Sequence, residues 1–397
     1  MLLRSLSPSL RIGLKRIRHC EERMSRNSRY ANFGVKFLGF DLKNPLIAES
    51  AGYAVSEWGI KRLLRAGCSA VVTKSTTWDP LGDYPRRWDG TVQPRCYWVY
   101  DDGMTTLDGS EALQNPGYLN MARFIRANRA VAEEEGAFII GSFSPRSPEE
   151  GAIMAREFEK AGAAALHMDM ICATAAPFRN LQYPGKGYTN LGEYWSEDPE
   201  RIVSVLKAVR DAVDIPLIPK TRVQRWLTTD ADVISNGYGK YLEGYAFDTA
   251  IPTLDMDLYT GKRVYAKIGG KAMRYNLFQV LARMYRLGTG KTLMPSGGLH
   301  FGEDVIKCIM LGADGVGICS ALYRGTHVVD EMLDYIEEYM VGQAIDSLDQ
   351  IKGTGFKDFP PEGFPKLRRS LELQAQELGK EFTGEIPGAN PPAPSNR

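Results

Sequence analysis

The chain has 397 residues, 44% hydrophobic and 24% charged, enough apolar material to bury one large core. Lys and Arg total 49 against 48 Asp and Glu, and a net charge of +1 excludes whole-molecule attraction to nucleic acid or to an anionic membrane. No stretch is long and apolar enough to span a bilayer, so the reading is a cytoplasmic protein acting on small molecules, with neither nucleic acid nor membrane as partner.

Residues 1–30 form a basic extension in which Arg4, Arg11, Lys15, Arg16, Arg18, Arg23, Arg26 and Arg29 lie among serines. It reads as an over-extended start with Met24 as initiator, or as an organellar transit segment, against which Glu21 and Glu22 count. Short apolar runs then alternate with helical periodicity. Pro45–Ala48 and Ala70–Thr73 read as strands on either side of a helix over Glu57–Ala66. Ala137–Ile140 is a third strand, followed by a helix over Glu149–Ala161, and Ala164–Met170 is a fourth. Asp198 caps a helix with Pro199 at its first position, where a missing N–H costs nothing. Pro216–Lys220, Gly244–Phe247, Thr292–Pro295 and Asp314–Ile318 complete a set of eight strands. The expected fold is an α/β (β/α)₈ TIM barrel over residues 31–345. An open doubly wound sheet would carry its glycine fingerprint after the first strand, whereas the glycines here gather late.

Two interruptions exceed an ordinary βα loop: Trp78–Leu113, and Pro252–Lys271 with a hairpin-like turn at Leu258–Gly261. Long loops at the C-terminal face of a barrel build or cover its active site. Residues 346–383 read as a C-terminal helical extension, and 384–397 as a Pro-rich disordered tail. The six cysteines, Cys20, Cys68, Cys96, Cys172, Cys308 and Cys319, are too scattered for a zinc or iron–sulfur spacing, so no metal is expected and the thiols read as free.

Three glycine-bearing segments late in the chain point to a phosphate. They are Lys267–Ala272 (KIGGKA), Ser296–Asp304 (SGGLHFGED) and Gly317–Leu322 (GICSAL). Glycines let backbone N–H groups approach an anion closely, and the following helices turn their positive ends toward it. Many barrels bind a sugar phosphate in the same place, so the ring of the ligand must be identified by other groups. Lys74 and Lys220 end strands two and five. There a lysine can stabilise charge on a reduced flavin, form a Schiff base, or snorkel at the rim. Cys172 follows strand four in HMDMICATAAPFRN, on a loop able to close over substrate; it reads as a proton carrier or as inert packing. His167 and His300 read as structural.

These residues are similar to a known family. The run NPLIAESAGYAVSEWGIKRLLRAGCSAVVTKSTTWDP from Asn44 resembles the opening of the dihydroorotate dehydrogenase family, with the pyrimidine-binding flavin domain of dihydropyrimidine dehydrogenase as the nearest likeness. The resemblance continues through DPERIVSVLKAVRDAVDIPLIPK, PSGGLHFGED and GVGICSALYRG. It implies an FMN-dependent oxidoreductase acting on CH–CH groups, and a homodimer. Hydride would pass between flavin N5 and a C–C bond of a small cyclic substrate. Lys74 and Ser75 match the family's T-K-S/T step, and Lys220 its fifth-strand lysine. Gly270, Gly297, Gly298, Cys319 and Ser320 match positions around the flavin phosphate and ribityl chain. Ser50, Asp169 and Asp248 join the implied cofactor contacts. Cys172 falls where the family's N-L-S-C-P-N loop places its catalytic cysteine, and Lys74 is counted with it as catalytic. Asn115, Thr174, Asp248 and Thr249 are the implied substrate contacts.

The departures shape the expected substrate. Family asparagines become Asp169 and Asp248, and the residues after the cysteine become Ala173 and Thr174. An asparagine donates and accepts, whereas an ionised aspartate only accepts, so the site should disfavour an ordinary pyrimidine. With no cluster motif or dinucleotide fingerprint, electrons are expected from NAD(P)H or a redox partner protein. A flavin-binding scaffold with a decayed loop, a tRNA-dihydrouridine-synthase-like enzyme and a Schiff-base lyase are the other readings.

Overall fold

The computed structural model describes residues 33–80, 97–99, 105–109, 115–171, 195, 199–222, 238–248, 251–256, 258–259 and 263–356. A short antiparallel hairpin, β1 (Val35–Phe37) and β2 (Phe40–Leu42), precedes the central sheet. Strands β3 (Leu46–Ala48), β4 (Ala70–Val72), β7 (Phe138–Phe143) and β8 (Ala165–Met168) run parallel, with β14 (Val316–Ile318) beside β3. A second parallel group comprises β9 (Lys220–Arg222), β10 (Gly244–Asp248) and β13 (Thr292–Pro295). Bridges Leu166–Leu217 and Asp169–Lys220 join β8 to the β9 segment, and Ser296–Gly317 joins β13 to β14. Those bridges close the ring of eight strands in chain order, which is the (β/α)₈ barrel expected from the alternation.

The barrel strands are apolar on both faces because helices cover the outside. Leu46, Ile47, Ala48, Ala70, Val71 and Val72 are all fully buried. Helix α1 (Glu57–Arg65) starts where the Ser56 hydroxyl accepts from Gly59 N, and it buries Ile60, Leu63 and Leu64. Each such side chain contributes about 1.5–3 kcal/mol on leaving water. The outer layer continues with α2 (Tyr118–Glu134), α3 (Pro148–Ala161), α4 (Pro199–Arg210), α5 (Arg274–Leu287), α6 (Gly302–Met310) and α7 (Val328–Gly342). Helix α3 has Ser147 as its cap and Pro148 at its first position, then ends on left-handed Gly162.

Three expectations shift. The fifth strand begins at Lys220 rather than Pro216, because Pro216 and Pro219 accept ladder bonds from Leu166 N and Ala246 N but have no N–H to return. The Trp78–Leu113 interruption contains strands β5 (Tyr97–Val99) and β6 (Thr105–Gly109). These join β11 (Ile251–Met256) and β12 (Arg263–Gly270) in an antiparallel sheet of order β11-β12-β6-β5. Lys267–Gly270, read as part of a loop, therefore ends strand β12, with Gly270 opposite Thr105. The β11–β12 hairpin agrees with the turn expected at Leu258–Gly261. Among the described residues, no helix is long and apolar enough to cross a membrane.

Candidate active site

The C-terminal ends of the barrel strands converge on a buried charged cluster. Lys220, at the first position of β9, places Nζ 3.2 Å from Glu49 Oε1 and 3.6 Å from Asp248 Oδ2. Glu49 directly follows β3 and is 1% exposed, so it has almost no contact with solvent. Burial alone pushes the Lys220 ammonium toward neutrality, but Glu49, Asp248 and Asp169 overcome that and hold its pKa well above the ordinary value. Burial likewise pushes the Glu49 carboxyl up, and the Lys220 charge, His167 and the Ser50 N–H bring it below its usual value. The pair is ionised at neutral pH. A Schiff-base nucleophile needs a readily deprotonated amine, so this environment disfavours the lyase reading.

A chain of side chains leads away from Glu49. His167 Nε2 is 3.4 Å from Glu49 Oε1, and its Nδ1 shares a 3.0 Å bond with Ser142 Oγ. Ser142 Oγ meets Ser75 Oγ at 2.8 Å, and Ser75 Oγ meets Ser50 Oγ at 3.1 Å. Burial depresses the His167 pKa against the pull of Glu49, leaving a neutral ring. Ser50 and Ser75 are therefore held together at the mouth, with the Ser50 hydroxyl also accepting from Ser75 N at 2.9 Å. Lys74 lies beside them, 7% exposed, at the end of β4.

The other end of the site is built from backbone. Gly297 and Gly298 follow β13 with φ of 120° and 75°, and Gly270 has φ 86°. A Cβ on Gly298 would lie 2.4 Å from Gly270 O and 2.7 Å from Arg274 N, so no other residue fits without moving the start of α5. The buried Asp304 carboxylate fixes this loop. It accepts from His300 N at 2.9 Å and Phe301 N at 3.1 Å, and pairs with Arg274 at 3.0 Å. His300 Nε2 and Ser320 Oγ, 2.7 Å apart, tie the β13 loop to the β14 loop. The segment after β14 opens as a short 3₁₀ turn, Ser320–Arg324, rather than as an α-helix. Burial pushes the Cys319 thiol up to about 12, so it stays protonated and is not poised as a base at neutral pH.

Lys74, Ser75, Ser50, Asp169, Lys220, Asp248, Gly270, Gly297, Gly298, Cys319 and Ser320 all lie at or just beyond strand ends on this face or at the start of α5. Asn115, expected near substrate or flavin, is 1% exposed, and its carboxamide oxygen accepts from Thr77 N and Gly117 N, bracing the entry to α2. Cys172, Thr174 and Thr249 lie outside the described residues. Glu49 was not among the expected site residues. Its signal was positional: like Lys74 and Asp169, it stands just past a barrel strand, where charges converge.

A cofactor with an anionic tail and a ring that gains negative charge on reduction suits these two ends. The tail needs backbone N–H donors beside a helix start, and Gly270, Gly297 and Gly298, all at positive φ, lie where Gly298 packs against Gly270 and the start of α5. The ring needs a fixed cation, which the buried Lys220 supplies. FMN has both parts. Among the described residues no group of three or more His, Cys, Asp or Glu side chains is placed to hold a metal.

Comparison with known proteins agrees. The dihydroorotate dehydrogenase family profile matches residues 33–340. The chain is similar to the dihydroorotate dehydrogenase B (NAD(+)) catalytic subunit of Thermoplasma volcanium, 24% identical over 332 residues, covering 82% of this chain and 99% of that one. The corresponding Pyrococcus furiosus subunit is 26% identical, covering 81% of this chain and 98% of its own. A putative dihydroorotate dehydrogenase A (fumarate) of Aeropyrum pernix is 25% identical, covering 80% and 96%. The chain belongs to the dihydroorotate dehydrogenase family, FMN-dependent oxidoreductases of CH–CH bonds built on a (β/α)₈ barrel.

Proposed function

We propose that this enzyme oxidises or reduces a C–C bond in a small cyclic substrate richer in hydrogen-bond donors than orotate or uracil. The observation that carries the reading is the set of carboxylates around Lys220, where Glu49, Asp248 and Asp169 together hold its ammonium charged. A mouth rich in ionised acceptors favours a ring presenting N–H groups or positive charge, and penalises one presenting carbonyls alone. The resemblance to the flavin domain of dihydropyrimidine dehydrogenase bears on the barrel and the kind of reaction, while Asp169 and Asp248, standing where the family has asparagines, set the ring apart from an ordinary pyrimidine.

FMN supplies hydride transfer, and the chain's own residues supply the rest. Gly270, Gly297, Gly298 and Ser320 hold the phosphate end, while Lys220 and Lys74 stabilise negative charge on the ring. Ser50, Ser75 and Cys319 flank it, and Asp169, Thr174, Asp248 and Thr249 orient the substrate. Cys172 would give or take the substrate's proton. Because relatives are named NAD(+)-linked catalytic subunits, electrons exchange with a nicotinamide, directly or through a partner protein; a homodimer is the assembly the family resemblance implies.

The test is a substrate screen on FMN-loaded enzyme reduced by NADH or dithionite. Amine-bearing or cationic rings should reoxidise the flavin faster than orotate or uracil; faster reoxidation by orotate overturns the substrate assignment. Cys172→Ala should keep its colour and lose about 10²–10⁴-fold in turnover at neutral pH. Unchanged turnover removes Cys172 from the proton-transfer role.

A further inference from the structure

Glu49 adds to the negative character of the mouth, but the proposed reaction gives it no contact with flavin or substrate. Its Oε1 is 3.2 Å from Lys220 Nζ and accepts from Ser50 N at 3.0 Å. Its Oε2 is fully enclosed and has no hydrogen-bond partner among the described residues. The room for that atom comes from Gly317, where a Cβ would lie 3.1 Å from Oε2 and 2.7 Å from Ser296 Cβ. A buried carboxylate with one oxygen unsatisfied is costly, and a neutral amide could make the same contact to Lys220 at lower cost. A full negative charge kept there therefore acts on the charge of the site.

We propose that Glu49 is a positioning residue that fixes the Lys220 ammonium at the barrel mouth and cancels part of its field on the flavin, holding the flavin's reduction potential down. The inference rests on the assignment of Lys220 to the flavin ring. An ammonium beside the ring favours the reduced, more negative flavin; a carboxylate against the same ammonium offsets this preference. Glu49 stands closer to the Lys220 ammonium than Asp248 does, and Asp169 adds to the negative surroundings of both. His167 is neutral, Ser142 and Ser75 are uncharged, and Asp248 is further from Nζ, at 3.6 Å, and partly exposed. The consequence is a flavin readier to pass electrons on to its acceptor than one beside an unopposed lysine.

The experiment is a spectroscopic redox titration of FMN-loaded protein with a reference dye. Glu49→Gln preserves the shape and removes the charge. It should favour reduced over oxidised flavin about tenfold, a rise of about 30 mV for a two-electron couple. Ser142→Ala, which removes the hydroxyl bonds to His167 and Ser75 without changing any charge, should leave the potential in place. Lys220→Met should lower it. If Lys220→Met shifts the potential and Glu49→Gln does not, the role given to Glu49 is wrong. If neither shifts it, the placement of Lys220 beside the ring is wrong. Should Glu49→Gln lose FMN, the pair is read in FMN-free protein by thermal unfolding. Lys220→Met alone should lower the midpoint by leaving Glu49 uncompensated, and adding Glu49→Gln should recover most of the loss. No recovery overturns the coupling.

Discussion

The two ends of the site are made by different means. The phosphate end is backbone: three glycines at positive φ, held by Asp304 and Arg274, with neighbours close in sequence. The ring end is side-chain charge, and its central pair, Glu49 and Lys220, is separated by 171 residues. Under the proposed assignment, the first is a local shape to grip an anion in either redox state, and the second a long-range balance of charges to distinguish one redox state from the other. Grip and tuning would then be separable, and substitutions at each end should fail in different ways.

The largest effect is expected at Gly298. A side chain there meets Gly270 O and Arg274 N and demands a left-handed backbone, so Gly298→Ala should weaken FMN binding about 100-fold or more and cost about 1–3 kcal/mol of stability. Fluorescence titration of stripped protein with FMN checks the first, and denaturant unfolding the second. Asp304→Ala should follow at about 3 kcal/mol, because it strands the partly buried Arg274 and frees His300 N and Phe301 N. Its effect on the bound flavin's potential should be small, which would sharpen the division between the two ends.

The smallest effect is a pH dependence. Burial lowers the His167 pKa from 6.5, so the unfolded chain binds its proton more readily, and folding stability falls as pH drops below that ordinary value. Glu49 is also depressed, so its contribution is present above the ordinary carboxylate range and is lost only as pH falls through its lowered value. Lys220 is raised, so its contribution is complete below the ordinary lysine range and is lost as pH climbs through its elevated value. In FMN-free His167→Gln, the decline between pH 7 and pH 5 should therefore shrink relative to wild type. An unchanged decline, followed by thermal unfolding in matched buffers, would place the acid-sensitive group elsewhere.

Much of this was legible in the sequence because it is local. The run Leu46–Ala48 and the glycines at Gly297 and Gly298 each carry their reason within a few residues. The fifth strand was displaced because apolar character marks Pro216–Lys220, whereas ladder bonding depends on N–H groups that two prolines lack. The antiparallel sheet was only half visible: the β11–β12 hairpin has a turn signal, but β6 pairs with β12 across more than 150 residues. Glu49 stayed hidden for the same reason. A glutamate before a serine at a strand end looks solvated until barrel closure brings Lys220 and His167 against it.

The division between grip and tuning is tested most directly by the ratio of FMN dissociation constants in the oxidised and reduced states, compared between Gly298→Ala and Lys220→Met. The account predicts that Gly298→Ala weakens both states alike, leaving the ratio at its wild-type value, and that Lys220→Met weakens the reduced state selectively. A ratio that moves in Gly298→Ala, or stays fixed in Lys220→Met, would contradict it.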